Sequence, residues 1–204
     1  MSKESLSSYP NNKQENWIAY RESEEFRTGV KLLEEAKGIA PTSKALIMSV
    51  ALNLKQAAEF ESSDRSQDEI EKMLSKLGVY FLRDEEWEEF SQAPIPVLSY
   101  LIATTPDVLN KAINNTRPTF DEHYGRNFGE AMEFPATSID AWEYGEELLA
   151  PTDPRLTSEE KAFLFFRLSA SDWEKEVEWL EQLIAGVKQY SPQIYNQVMT
   201  RRQS

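Results

Sequence analysis

Hydrophobic residues recur every three to four positions along most of the chain, which is the period of an amphipathic α-helix. The first such segment, residues 15–38, places Trp17 and Phe26 near one face. Residues 41–61 carry the widest apolar stripe, and we expect them to form the central helix of the core. A third helix is predicted over 66–78, where a glycine follows the last apolar position. The stripe of the central helix consists of Leu46, Ile47, Val50, Ala51, Leu54 and Ala58.

Serine and threonine residues mark several predicted helix starts. In a capping box, such a side chain accepts a hydrogen bond from the backbone N–H three residues later, where a glutamate bonds back to the cap. Thr42 or Ser43 is the expected cap of the central helix. Four further pairs have the full capping-box spacing: Ser66 with Glu69, Thr119 with Glu122, Thr157 with Glu160, and Ser171 with Glu174.

Two short apolar segments are harder to assign, because periodicity alone does not separate a buried strand from a buried helix. Residues 79–82 fit either a short strand or a tight connection. Residues 95–103 fit either a helix or a strand. We choose a helix for the second segment, because the segments on both sides of it have helical period.

These patterns together predict an all-α protein. We expect a single compact bundle of about eight to eleven helices, mostly antiparallel neighbours joined by short connections. Residues 1–13 are polar, with a proline and paired asparagines, and are expected to form a flexible tail. Residues 14–204 would form one helical domain, with a minor break allowed near 151–156 because of its two prolines.

The chain carries a net charge of −13. Such an acidic surface repels phosphate backbones and anionic lipid headgroups, so we expect neither nucleic-acid binding nor binding to a membrane surface. No apolar run is long enough to span a membrane, and residues 1–16 show no secretory signal. We therefore expect a soluble protein of the cytoplasm.

The chain has no cysteine and only one histidine. The first fact excludes disulfides, thiolate metal sites and cysteine nucleophiles. The second excludes His-Glu-x-x-His zinc sites and the paired Glu-x-x-His motifs of di-iron bundles. Glu-x-x-Glu pairs would allow a magnesium site built from carboxylates, but 35 acidic residues produce this spacing by chance. No nucleotide-binding loop is present, and we expect no metal and no cofactor.

The segment from Thr119 to Phe134 fits one helix of about four turns. Gly125 and Gly129 lie one turn apart on it, and small residues at this spacing let a second helix approach closely. Two glycines inside a soluble helix cost about 2 kcal/mol relative to alanine. Tight packing or a close ligand is expected to offset that cost.

Another side of the same helix groups the ingredients of a small acid–base site. A carboxylate beside a histidine sets its tautomer and raises its pKa, and an arginine can hold an anion. The helix–proline–helix corner over 119–142 would form the pocket, with Phe134, Ile139 and Trp142 as walls. The plainer alternative is a solvated helix face. The candidate acid–base residues are His123, Arg126, Glu130 and Glu133.

The densest acidic and aromatic cluster is the sequence RDEEWEEF, residues 83–90. Its two aromatic residues are three positions apart, so both can face the core while the carboxylates face water. A second interpretation is a docking site, in which an aromatic anchor within an acidic rim binds a basic partner. The docking candidates are Trp87, Phe90, Glu85 and Glu88.

Three functions remain compatible with these observations. The first is protein–protein interaction, as an adaptor, regulator or inhibitor of another protein with a basic surface. The second is a small enzyme or ligand-binding protein that uses His123 and Arg126 in a pocket at the 119–142 corner. The third is a structural subunit of a larger assembly. The missing catalytic motifs favour the first, non-enzymatic function, and the sequence does not indicate an oligomeric state.

Overall fold

The computed structural model describes residues 17–63, 66–83, 97–116 and 124–201. Within these ranges the chain forms ten helices and three strands. In chain order they are α1 (Trp17–Arg21), α2 (Glu24–Glu35), α3 (Pro41–Ala51), β1 (Ala57–Ser62), α4 (Gln67–Leu77), β2 (Tyr80–Arg83), β3 (Leu98–Ala103), α5 (Pro106–Thr116), α6 (Tyr124–Ala131), α7 (Ala136–Glu143), α8 (Ser158–Phe163), α9 (Trp173–Tyr190) and α10 (Pro192–Arg201).

The three strands form one antiparallel sheet in the order β1-β3-β2. The register places Phe60 of β1 opposite Tyr100 of β3, and their rings stack with centroids 5.4 Å apart. Phe81 of β2 meets the edge of the same tyrosine ring. Tyr100 therefore lies at the centre of the sheet, and it is completely buried.

The prediction of an all-α protein is wrong, although most of the described chain is helical. Residues 98–103, part of the segment 95–103 that we expected to be a helix, form the central strand β3. This strand is covered on both faces, so it has the continuous apolar sequence of a fully buried strand and not an alternating one. For residues 79–82 the strand alternative is the correct one, because β2 covers Tyr80–Arg83.

The predicted central helix over 41–61 is correct only in its first half. Helix α3 ends at Ala51, and Asn53 adopts a left-handed backbone with φ 54°. An asparagine tolerates this conformation and can end a helix there. Ala58 then lies in strand β1, where it is buried. The apolar residues after the turn keep the helical spacing by coincidence. Residues 57–62 form a strand because they pair with β3, which is distant in sequence.

The predicted capping boxes had different outcomes. Thr157 and Glu160 form the complete box at the start of α8, as predicted. Ser66 stands at the cap position of α4 but makes no side-chain cap bond. Ser171 is not the cap of α9, because that helix begins one residue later, with Asp172 at the cap position. The hydroxyl of Ser171 bonds to Asp172 instead.

Other predicted boundaries are either wrong or outside the described chain. Neither Thr42 nor Ser43 caps α3, because Pro41 is already its first residue. Proline suits this position, where its missing N–H would have no partner inside the helix. The predicted tail at 1–13 and the pair Thr119 with Glu122 lie outside the described residues.

The sheet separates two apolar clusters. Helices α2, α3, α4, α9 and α10 pack on the face that carries Phe60 and Tyr100. Helices α5 and α6 pack on the opposite face, which carries Leu101. A third cluster lies beneath the start of α9, around Phe166. Phe134 packs against the second and third clusters, so the corner between α6 and α7 lies where they meet. In the described part of the chain no helix is long and apolar enough to cross a membrane.

Candidate functional site

Helices α6 and α7 approach each other at the two glycines. A Cβ atom at Gly129 would lie 2.9 Å from Cγ1 of Ile139, and one at Gly125 would overlap the ring of Trp142. A larger residue at Gly129 would press against Ile139, and one at Gly125 would displace the ring of Trp142. The prediction that these glycines allow close helix packing is therefore confirmed.

A cavity of about 430 Å³ lies at this corner, and we call it the corner cavity. The three wall residues expected from the sequence all line it. Two charged residues, Glu59 from β1 and Arg167 from the segment after α8, complete its lining. The cavity is otherwise almost wholly apolar. Its apolar wall consists of Phe128, Phe134, Ile139, Trp142 and Phe166.

The corner is held together by polar contacts behind the apolar wall. The buried hydroxyl of Ser138 donates a hydrogen bond to the backbone oxygen of Arg167. The carboxylate of Glu176 accepts hydrogen bonds from the hydroxyl of Thr137 and, at 2.8 Å, from the backbone N–H of Ser169. Helix α7 is therefore fixed to the segment after α8 and to α9, and the cavity has little freedom to collapse.

Arg126 joins the two helices of the corner. Its Nε donates to Glu143 at 2.6 Å and its Nη2 donates to Asp140, both on α7. Its Nη1 lies 3.7 Å from Glu130, one turn along α6. The hydrogen bonds to Glu143 and Asp140 both raise the pKa of the Arg126 guanidinium, and the bond to Glu143 has the larger effect. An anionic ligand would have to compete with these carboxylates for it.

Glu133 connects the corner to the turn after α3. Its backbone is left-handed with φ 51°, which is uncommon for a residue with a side chain. Its carboxylate accepts a hydrogen bond from the backbone N–H of Gln56. His123 lies outside the described residues, so its role as an acid or base beside a carboxylate stays a prediction. The predicted docking residues Trp87, Phe90, Glu85 and Glu88 also lie outside them.

A second cavity of about 460 Å³ adjoins the first, and we call it the lysine cavity. Glu59, Phe128 and Phe134 line both cavities. Lys55 lies in the turn between α3 and β1. Of the two cavities, Lys55 and Phe165 line only the lysine cavity. The side chains of Phe128 and Phe134 therefore lie between two neighbouring apolar spaces.

Lys55 is the most unusual residue of this region. It is 2% exposed, and its Nζ has no hydrogen-bond partner in the part of the chain that the structure describes. The Nζ lies 5.2 Å from the ring centroid of Phe134, 5.8 Å from that of Phe165 and 5.7 Å from that of Trp179. Burial lowers the pKa of Lys55 to about 8, although the charge of Glu133 acts in the opposite direction.

The sequence analysis missed both Lys55 and Arg167. Lys55 stands between Leu54 and Gln56 in a mainly apolar segment, and a lone lysine there is a weak signal of a buried amine. Its surroundings come from residues more than 75 positions later, so no local pattern reveals them. Arg167 follows a run of apolar residues and carries no comparable signal.

The described residues contain no group of three histidine or acidic side chains that could hold a metal ion. The chain matches no model of a protein family, and neither a curated protein nor a solved structure matches it.

Proposed function

We propose that the protein binds a small, largely apolar molecule in the corner cavity. The observation that carries the proposal is a space of about 430 Å³ with an apolar wall of five side chains. Pockets for small molecules have volumes of roughly 300–1,000 Å³ and the same mixture of a mainly apolar lining with a few polar groups. A bound apolar molecule would remove this apolar lining from water and would pack against it.

The rigidity of the corner supports this proposal. The glycine contacts, the ion pairs of Arg126 and the bonds of Ser138 fix the two helices before any ligand arrives. A preformed site loses less free energy to ordering when it binds. A ligand that buries about 200–300 Å² of apolar surface would gain about 5–8 kcal/mol. The costs of association reduce this gain, so we expect a Kd between millimolar and micromolar.

The lining of the corner cavity requires an apolar ligand but does not specify the charge of that ligand. Arg167 lines the cavity and has no ion-pair partner within the described ranges, whereas Glu59 lines it with a carboxylate. One positive and one negative side chain give no net preference for a cationic or an anionic ligand. We therefore take 1-N-phenylnaphthylamine as the probe, because this molecule is neutral, apolar and fluorescent when it leaves water.

The test compares two exposed aromatic residues of the same region. Trp142 is 59% exposed and lines the cavity, whereas Tyr144 is 71% exposed and does not. Both can be shortened with little loss of core packing. We expect Trp142→Ala to weaken probe binding by about tenfold, or about 1.4 kcal/mol, because one wall is removed. Tyr144→Ala should leave the Kd unchanged. Equal affinities of the wild type and Trp142→Ala would refute binding in this cavity.

A second candidate function is the protein–protein interaction expected from the composition. The observation that favours it is the exposure of two neighbouring aromatic residues, Trp142 and Tyr144, at the edge of the cavity. Exposed tryptophan and tyrosine are common anchors of interfaces, and the net charge of −13 suits a basic partner. For such a partner both alanine variants would weaken binding, whereas a small ligand would respond only to Trp142→Ala.

The remaining predictions are unchanged by these observations. An enzyme that uses His123 at the corner would lose activity in His123→Ala, while the affinity for the apolar probe would persist. A role as a structural subunit and a location in the cytoplasm also stay predictions. Native mass spectrometry of the protein purified from its own cells would separate the three functions, since it records a retained ligand, an added protein or a larger assembly.

A further inference from the structure

We propose that Lys55 is a reactive amine that forms an imine with small apolar aldehydes entering the lysine cavity. This inference goes beyond the binding proposed above. It concerns a different cavity, and it does not require the corner cavity to hold a ligand.

The first support is the contrast between two buried lysines. Lys44 is 4% exposed and Lys55 is 2% exposed. The Nζ of Lys44 donates to the backbone oxygen of Glu34 at 2.9 Å and to Gln197 at 3.1 Å. Among the described residues, the Nζ of Lys55 has no hydrogen-bond acceptor. A buried ammonium without acceptors is costly, whereas the neutral amine loses much less on burial.

The second support is the protonation state that follows from this burial. Only the neutral form of an amine has the lone pair that attacks a carbonyl carbon. Burial lowers the pKa of Lys55 to about 8 from the ordinary 10.5. The rings around the Nζ favour the ammonium, so they act against the effect of burial. At a pKa of about 8, about half of the Lys55 amines are neutral at pH 8, compared with about 0.4% for an exposed lysine of pKa 10.4.

The third support is the lining of the cavity, which selects the ligand. Phe134 and Phe165 offer apolar surface beside the amine. Glu59 and Glu61 also line the space, and their carboxylates repel an anionic ligand. An uncharged carbonyl compound with an apolar body fits these conditions. An aldehyde is the less hindered carbonyl, and the cavity of about 460 Å³ accommodates a benzaldehyde-sized molecule.

The reaction is a condensation and involves no oxidation. The lone pair of the neutral Nζ forms a bond to the carbonyl carbon, and the carbonyl π electrons move to oxygen. Proton transfer from nitrogen to this oxygen gives a carbinolamine. Loss of the hydroxyl group with the second nitrogen proton releases water and leaves a C=N bond. One amine and one aldehyde thus give one imine and one water.

The test traps the imine in the full-length protein. Benzaldehyde and sodium cyanoborohydride are added at pH 8, and the reductant converts each imine into a stable benzylamine. Peptide mapping by mass spectrometry then follows the labelling of every lysine with time. We expect Lys55 to be labelled at least tenfold faster than Lys44 or any exposed lysine. Labelling of Lys55 no faster than that of the exposed lysines would overturn the proposal.

The dependence on pH gives an independent readout. The ratio of labelling at Lys55 to labelling at exposed lysines cancels the reduction step, which needs a protonated imine at every site. This ratio should be highest at and below about pH 8, where the Lys55 amine is far more neutral than an ordinary one. It should fall by about tenfold per pH unit above pH 8, until the exposed lysines reach their own pKa near 10.4. If the ratio stays constant up to pH 10, the amine of Lys55 is an ordinary one and the proposal fails.

Two matched variants complete the test. Lys55→Met places an apolar side chain of similar length in the apolar surroundings and should abolish the fast label. Lys44→Met should leave it unchanged. If Lys55→Met does not fold, the peptide map of the wild type still decides the outcome. Trp142→Ala, which opens the corner cavity, should not slow labelling at Lys55, so a failure of the ligand-binding proposal is distinguishable from a failure of this one.

Discussion

The carboxylate of Glu133 accepts a hydrogen bond from the backbone N–H of Gln56, 77 positions earlier in the chain. This bond fixes the corner between α6 and α7 to the turn that carries Lys55. The two cavities share lining residues, and this hydrogen bond also connects them, because the end of α6 positions the turn beside the lysine cavity. Glu133 makes this contact from a left-handed backbone with φ 51°.

Two substitutions of Glu133 should separate the contribution of its hydrogen bond to stability from the cost of its left-handed backbone. Glu133→Ala loses the acceptor and keeps an unfavourable left-handed residue, so we expect the free energy of unfolding to fall by about 1–2 kcal/mol. Glu133→Gly loses the same acceptor but tolerates this φ, and should be more stable than the alanine variant by about 1 kcal/mol. Urea unfolding followed by circular dichroism measures both. An alanine variant as stable as the glycine variant would contradict this account of the backbone.

Gly129→Ala tests the close approach of α6 and α7. Helix propensity alone favours alanine by about 1 kcal/mol, but the new Cβ would lie 2.9 Å from Cγ1 of Ile139. We expect the clash to dominate and the variant to be destabilised by about 1–3 kcal/mol. Thermal or urea unfolding measures the change.

The matched control for this clash is a double-mutant cycle. Ile139→Ala removes the Cγ1 and Cδ1 atoms that the new Cβ would meet. In that background Gly129→Ala should cost less than in the wild type, giving a coupling free energy of about 1 kcal/mol or more. Strict additivity of the two substitutions would show that the helices are not in contact at this point.

The buried carboxyl of Glu176 should make stability depend on pH. Burial raises its pKa above the ordinary 4.5, and its hydrogen bonds with Thr137 and Ser169 oppose the rise. Between pH 4.5 and this raised pKa, the folded protein binds more protons than the unfolded chain does. The contribution of Glu176 to the free energy of unfolding therefore falls as pH rises through that window.

Glu176→Gln removes this dependence, since glutamine does not titrate. Its amide oxygen can still accept from the backbone N–H of Ser169, and its NH2 group can donate to the hydroxyl of Thr137, which reverses the direction of that bond. The stability of the variant relative to the wild type should increase as pH rises from below 4.5 and then level off. Urea unfolding at a series of pH values between 4 and 8 measures the difference. Glu181→Gln, at an exposed position of the same helix, controls for the loss of one negative charge. A constant difference between Glu176→Gln and the wild type would contradict the expectation.

The corner could be predicted from the sequence because its determinants are local. Two glycines one turn apart, a proline a few residues later and three apolar side chains all lie within residues 125–142. Helical periodicity relates such neighbours directly. The three wall residues predicted from this local pattern do line the corner cavity.

The sheet could not be predicted in the same way, because its determinants are distant in sequence. Phe60 pairs with Tyr100, which lies 40 positions later. Strand propensity depends on such partners more than on the strand itself. Lys55 is a similar case, since Phe165 and Trp179 surround its amine from more than a hundred positions away. A residue-by-residue pattern contains neither relationship.

Binding of an apolar molecule at the corner is tested most directly by methyl NMR. The protein would be labelled at its isoleucine δ1 methyl groups and titrated with 1-N-phenylnaphthylamine. Ile139 lines the corner cavity, and Ile194 lies buried in the main core on α10. We expect the Ile139 methyl resonance to shift with saturation and to show nuclear Overhauser effects to the probe, while Ile194 does not shift. A saturable change that spares Ile139, or no saturable change at all, would contradict the proposed binding site.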